Sequence, residues 1–249
     1  MTLPTPKPDW ALFLDFDGTL AEIAPTPETV AVESSLPALL GRIDIALCGA
    51  LAVVTGRPLA QVDQYLQPLA LAGAGLHGVE LRFSANGAVN GALAGQGEKP
   101  VMVALRRRLD AVAADWPGVR VEDKGQSLAL HYRARPDAAW ACRTAVREAA
   151  DAAGGAFEVL EGKMVVELKP AGFDKGSAIH AFMTDPPFRG RVPVFAGDDV
   201  TDEAGFRAVN ALGGHSIRVG GAGPTEAGHR VDDVGALLAW LVEVATALD

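Results

Sequence analysis

The sequence predicts an α/β fold, a doubly wound parallel sheet with a second, α+β domain inserted into it. Two observations carry that expectation. Short continuous apolar runs alternate with stretches of helical spacing over residues 1–98 and again over 171–249. Between them, residues 99–170 change to a pattern of helix, two strands, helix, two strands. Strands buried on both faces read as unbroken apolar runs, and strands alternating with helices build parallel sheets.

The elements follow in order. ALFLDF (11–16) and ALAVVTGR (50–57) suit buried strands, and SSLPALLGRI (34–43) has helical spacing. PLAQVDQYL (58–66) reads as a helix with Pro58 at its first position, and LALAGAGLHG (69–78) as a third apolar segment with a glycine exit. NGAVNGALAGQGEK (86–99) is Gly-rich, turn-like and a natural boundary. In the insertion, residues 100–116 and 137–154 are helical, while 119–125 with 126–135, and 157–170, read as hairpins. The first pattern resumes with a helix at 174–183, a strand at 192–199, a helix at 201–212, a strand at 216–221 and a closing helix at 232–248. GGAGPTEAGHR (220–230) reads as a connecting loop, the tryptophans as packing residues, and MTLPTPKPDW as a loose tail without an apolar signal core. No internal repeat is evident.

Composition narrows the function. The chain has 249 residues, 49% hydrophobic, with a net charge of −9. That allows a sizeable core and disfavours nucleic acid or an anionic membrane surface as partner. Two distant cysteines, Cys48 and Cys142, exclude a disulfide framework or a structural zinc site. No apolar run approaches the roughly 20 residues of a membrane span. A cytoplasmic protein that works as a monomer is the expectation.

The chemistry gathers at the ends of strands, where open parallel sheets bind ligands. DFDGT (15–19), VTGR (54–57) and GDDVTDE (197–203) each follow a predicted strand, and FDKG (173–176) opens a helix. Residues i and i+2 of an extended chain point to one side, so Asp15 and Asp17 are expected to approach one site. An ionised carboxylate needs no base to act as a nucleophile, and aspartate is a known phosphoryl acceptor. Its obstacle is the charge of the phosphate, which Mg²⁺ offsets. Asp15, Asp198 and the backbone carbonyl of Asp17 suit that oxygen-seeking ion. The Thr55 hydroxyl can hold a phosphoryl oxygen, and Lys175 can place a compact charge beside the transferring group. A sugar oxygen leaves poorly unless protonated, a task for Asp17, which can then take a proton from the attacking water.

Those four motifs, in that order, resemble the haloacid dehalogenase superfamily of phosphatases. LAGAGLHGVELR (71–82), VEDKGQSLALHYR (121–133), EGKMVVELKPAGFDKG (161–176) and FAGDDVTDE (195–203) look like the trehalose-6-phosphate phosphatases, over roughly residues 10 to 245. One departure is the extra Ala-Gly in LAGAGLHG. The resemblance implies a Rossmann-like core at 1–98 and 171–249, a substrate-selecting cap at 99–170, Asp15 as nucleophile and Asp17 as acid and base. It implies Mg²⁺ held by Asp15, Asp17 and Asp198, with Asp199 and Asp202 close by. It implies hydrolysis of trehalose 6-phosphate, a small sugar phosphate.

In the insertion, Leu128, Leu130 and Tyr132 alternate with Ser127, Ala129, His131 and Arg133, so the sheet should have one apolar and one polar face. The polar face carries Glu122, Lys124, Arg133, Lys163 and Glu167. Periodicity alone fits a solvated face laced by ion pairs. The resemblance makes these five the sugar contacts of a lid, with Arg57 and His77 as further substrate contacts. Other readings are a phosphatase of sucrose phosphate or mannosylglycerate phosphate, a phospho-receiver, and a catalytically dead sugar-phosphate sensor. A receiver has no use for the insertion, and both Asp15 and Asp17 are present.

Overall fold

The computed structural model describes residues 3–24, 29–91 and 100–249. They fall into two compact units, residues 1–90 with 174–249, and residues 91–173.

In the first unit, β1 (Trp10–Leu14), α1 (Leu36–Ala46), β2 (Leu51–Val54), α2 (Leu59–Leu66) and β3 (Ala72–Gly75) are followed by β4 (Glu80–Arg82), and β5 (Asn90–Gly91) marks the boundary. The second unit contributes α3 (Pro100–Asp115), β6 (Arg120–Asp123), β7 (Leu128–His131), α4 (Ala139–Ala152), β8 (Phe157–Gly162) and β9 (Val165–Pro170). The chain then returns with α5 (Lys175–Thr184), β10 (Val192–Gly197), α6 (Glu203–Ala211), β11 (His215–Val219), β12 (His229–Val231) and α7 (Val234–Leu248).

The large sheet has the order β12-β11-β10-β1-β2-β3-β4-β5. It is parallel from β12 to β3 and turns antiparallel between β3 and β4. From β1 the chain builds outward through β2 and β3, and later through β10 to β12 on the other side. The switch point therefore lies between β1 and β10, the place where such sheets open a crevice. All five residues of β1 are buried. Their side chains alternate: Trp10 meets Trp240 of α7 on one face, and Phe13 meets Phe182 of α5 on the other. Helices thus cover both faces.

The second unit has its own core. Its antiparallel sheet runs β6-β7-β9-β8. Leu128, Leu130, Tyr132, Val166 and Leu168 pack against Met102, Leu105 and Leu109 of α3 and Cys142 and Val146 of α4. The apolar half of the alternation faces these helices, as the sequence predicts.

Several expectations need correction. The segment read as a loose tail is anchored: Pro4 and Trp10 are buried, Trp10 opens β1, and Arg191 donates to the Pro8 carbonyl at 2.9 Å. Pro58 has extended backbone (ψ 139°) and caps α2 instead of starting it. Neither β4 nor β12 is expected, because three-residue strands give no periodicity; the loop at 220–230 ends inside β12. Trp140 does not pack, being 77% exposed. Of the boundary passage at 86–99, Asn90 and Gly91 form β5 and residues 92–99 lie outside the described residues.

Close packing of α6 on β10 depends on Gly205, where a Cβ would sit 2.3 Å from the Phe195 ring. Alanine would gain about 1 kcal/mol of helix propensity and lose about 1–3 kcal/mol to overpacking. Gly205→Ala is expected to lower the denaturation midpoint; a raised midpoint would contradict the packing.

Candidate active site

The site forms where β1, β2 and β10 end and α5 begins. β1 stops at Leu14, and Asp15 remains tied to the sheet by its amide, which donates to the Ala196 carbonyl at 3.0 Å. A tight turn follows, in which the amides of Leu20 and Ala21 both donate to the Phe16 carbonyl. Extended geometry therefore ends before Asp17, and the two aspartates address different cations. Asp15 meets Lys175, and Asp17 meets Arg57. Gly18 sits inside this turn at φ 78°, with its Cα so close to Asp198 that a Cβ would lie 2.2 Å from Oδ2. Only glycine fits both conditions.

Lys175 occupies the first turn of α5, which Asp174 caps by accepting from the Ser177 amide at 2.6 Å. Its ammonium lies 2.7 Å from Asp15 Oδ1 and 2.6 Å from Asp202 Oδ1, and it is 2% exposed. Asp202, wholly buried, also accepts from the amides of Asp198 and Asp199 at 3.0 and 2.9 Å. Asp202 thus holds both the lysine and the turn after β10, beside the position that the sequence gives it. Asp199 accepts from the Val200 amide at 2.7 Å and opens that turn.

Carboxylate oxygens of Asp15, Asp198 and Asp202 lie within 4.8 Å of one another. Three carboxylates face one ammonium, so the cluster carries surplus negative charge in a buried place. Burial pushes the Asp15 carboxyl well above its usual range, and Asp202 adds to this against the pull of Lys175. Burial, then Asp202, pushes Asp198 up to about 7. Burial alone would discharge Lys175, but the two carboxylates outweigh it and raise its pKa. An oxygen-liganded cation fits this donor set, because it would relieve the same repulsion that otherwise favours protons.

Beyond β2, Thr55 is 1% exposed, and its Oγ1 accepts from the Arg57 amide at 3.1 Å. The segment Leu76–His77 braces this loop. Both residues are left-handed, at φ 51° and 57°. Their amides donate to the carbonyls of Arg57 at 3.0 Å and Thr55 at 2.9 Å. A Cβ on Gly56 would come within 2.6 Å of the His77 ring. His77 is thereby packed under the threonine loop.

In the second unit, Glu122, Ala129 and Glu167 form one row across β6, β7 and β9. Lys124 Nζ reaches Glu167 Oε2 at 2.7 Å, and Ser127 donates to Oε1 at 2.6 Å. His131 Nε2 lies 2.7 Å from Glu122. Against the cost of burial, that bond and Lys124 hold the Glu122 carboxyl below its usual range. Arg133 and Lys163 are exposed and stand in turns, after β7 and between β8 and β9, instead of on the strands. The structure therefore brings Glu122, Lys124 and Glu167 together. It adds Ser127 and His131, whose positions two residues either side of Ala129 already placed them on this face.

Comparison with known proteins matches this arrangement. A family model described as trehalose-phosphatase covers residues 13–232. The chain is 48% identical over 218 residues to a probable trehalose-phosphate phosphatase of Sinorhizobium fredii, covering 88% of this chain and 80% of that one. It is 40% identical to the trehalose-6-phosphate phosphatase of Escherichia coli, over 96% of this chain and 88% of the other. A crystal structure of a trehalose-6-phosphate phosphatase related protein superposes with a TM-score of 0.76 at 28% identity, covering 94% of this chain and 96% of that one. The chain belongs to the trehalose-phosphatase family.

Proposed function

We propose that the chain is a Mg²⁺-dependent phosphatase that hydrolyses trehalose 6-phosphate to trehalose and phosphate. The observation that carries the chemistry is the buried Asp15–Lys175–Asp202 chain beside Asp198. The substrate is supported by the relatives' names and by the polar face of the inserted unit. We place it in the cytoplasm as a monomer; its two free cysteines suit a reducing compartment.

Asp15 is the nucleophile. Its partner Lys175 fixes the carboxylate and places positive charge beside the transferring group. Asp15, Asp198 and the Asp17 carbonyl would hold Mg²⁺, which when bound supplies charge to offset the repulsion between carboxylate and phosphate. Thr55 offers its hydroxyl to a phosphoryl oxygen. Asp17 protonates the sugar oxygen as the phosphorus bond to it breaks and the bond to Asp15 forms. Asp17 then takes a proton from the water that attacks the phosphorus and frees Asp15. In the inserted unit, residues 99–170 by the sequence reading, Glu122, Lys124, Arg133, Lys163 and Glu167 bind the sugar hydroxyls. Arg57 and His77 shape the threonine loop beside the phosphate.

Phosphate release from trehalose 6-phosphate, sucrose 6-phosphate, glucose 6-phosphate and an aryl phosphate tests the reading. A preference of about a hundredfold for trehalose 6-phosphate is expected, about 3 kcal/mol of differential transition-state binding. Asp15→Asn should abolish all four activities without changing the circular dichroism. A flat profile would remove the substrate, and an active Asp15→Asn would remove the nucleophile. Lys163→Ala and Glu167→Ala should lower turnover of trehalose 6-phosphate at least about tenfold more than that of the aryl phosphate, because only the disaccharide meets the inserted unit. Equal losses would take these residues out of the sugar site.

The raised Asp198 carboxyl, at about 7 against an ordinary 3.8, gives a pH dependence. The folded protein holds a proton that the unfolded chain has released, so without cation its stability falls as pH rises through that window. Cation binding must displace the proton below pH 7. Apparent Mg²⁺ affinity should weaken about tenfold per pH unit there, and the rise in melting temperature caused by Mg²⁺ should be larger at pH 8 than at pH 6. Equal rises would show that the ion displaces no such proton.

A further inference from the structure

Arg57 holds Asp17 by both carboxylate oxygens. Its Nε donates to Oδ2 at 2.6 Å and its Nη2 to Oδ1 at 2.7 Å. The arginine side chain is 9% exposed and that of Asp17 37%. Its surroundings restrict how the guanidinium can turn. Its carbon lies 5.8 Å from the Phe16 ring centre and 5.3 Å from that of Tyr65, and Nη1 donates to Gln61 at 3.3 Å. On the backbone side, the Arg57 amide donates to Thr55 Oγ1 and its carbonyl accepts from the Leu76 amide. Exposed ion pairs are mobile and contribute little. A two-pronged pair with one partner packed beside two neighbouring rings fixes an orientation.

We propose that Arg57 is a positioning residue for proton transfer by Asp17, and not a contact to the sugar. The fork sets the plane of the carboxylate. Both oxygens stay on the fork, and the remaining lone pair of one serves the leaving sugar oxygen and later the attacking water. The inference rests on the phosphatase reading above. Both proton transfers use this single carboxylate. A misplacement of about 1 Å in such a group costs about 10²-fold in rate.

Leaving groups of different acidity test the assignment. A nitrophenolate departs without a proton, and a sugar oxygen does not. Arg57→Met keeps an apolar stem against Phe16 and Tyr65 and removes the fork. Rapid mixing reads the first half of the reaction as release of sugar or of nitrophenolate. Sugar release is expected to fall about 10²-fold, at least tenfold more than nitrophenolate release, with KM for the sugar phosphate within about threefold of the parent. Arg57→Lys restores charge without the fork and should behave like Arg57→Met. Tyr65→Leu leaves the fork intact but frees the guanidinium, and should give a smaller loss of the same selectivity if Arg57→Met does not fold. Equal losses on both leaving groups, a change confined to KM, or full rescue by lysine would overturn the proposal. A parent chain inactive on every sugar phosphate would overturn it together with the phosphatase reading, whereas equal losses in an active parent overturn the positioning role alone.

Discussion

One buried ammonium holds the site together. Lys175 lies between Asp15 and Asp202 with almost no access to water. Taking such charges out of water costs several kcal/mol per ion, and only close oppositely charged partners offset it. The three residues come from the end of β1, the start of α5 and the turn after β10. Satisfying the lysine therefore fixes three distant segments at one point. Removing the lysine would leave its buried carboxylates uncompensated, a loss of about 3–5 kcal/mol.

The ionised cluster is two charges short of neutrality. Three carboxylates share a single ammonium, and burial opposes their ionisation. Protons or a cation must make up the difference. Close approach of the turns is what concentrates the acids. Gly18 lets the turn after β1 lie against Asp198, and Gly197 has Asp202 where its Cβ would be, at 2.3 Å. Backbone without side chains brings the carboxylates together, and their repulsion then prepares a place for positive charge.

The inserted unit follows a different rule. Its stability comes from an apolar face packed on α3 and α4, which leaves the other face to polar residues. Ala129, small and fully buried, stands between Glu122 and Glu167 and keeps that row level. Lys124, Ser127 and His131 orient the two carboxylates in advance. A carboxylate already held in place loses less entropy when a sugar hydroxyl arrives.

Much of this was legible in the chain. Unbroken apolar runs such as ALFL and LAVV mark strands buried on both faces, and the period-two alternation of SLALHY marks the two-faced sheet of the inserted unit. The motifs at strand ends located Asp15, Thr55, Lys175 and Asp198, because a parallel sheet delivers strand ends to one edge. The short strands β4 and β12 carry too few residues to show a period, and the anchoring of the N-terminal segment depends on Arg191, far away in sequence. Sequence spacing brings Asp15 and Asp17 to one end of the sheet, and the fold pairs the first with Lys175 and the second with Arg57. Local pattern determines which segments become strands and helices, since burial and periodicity act between neighbours. Which acid meets which cation was decided only by the tertiary structure, since charge pairing depends on distances between residues that the chain order leaves far apart.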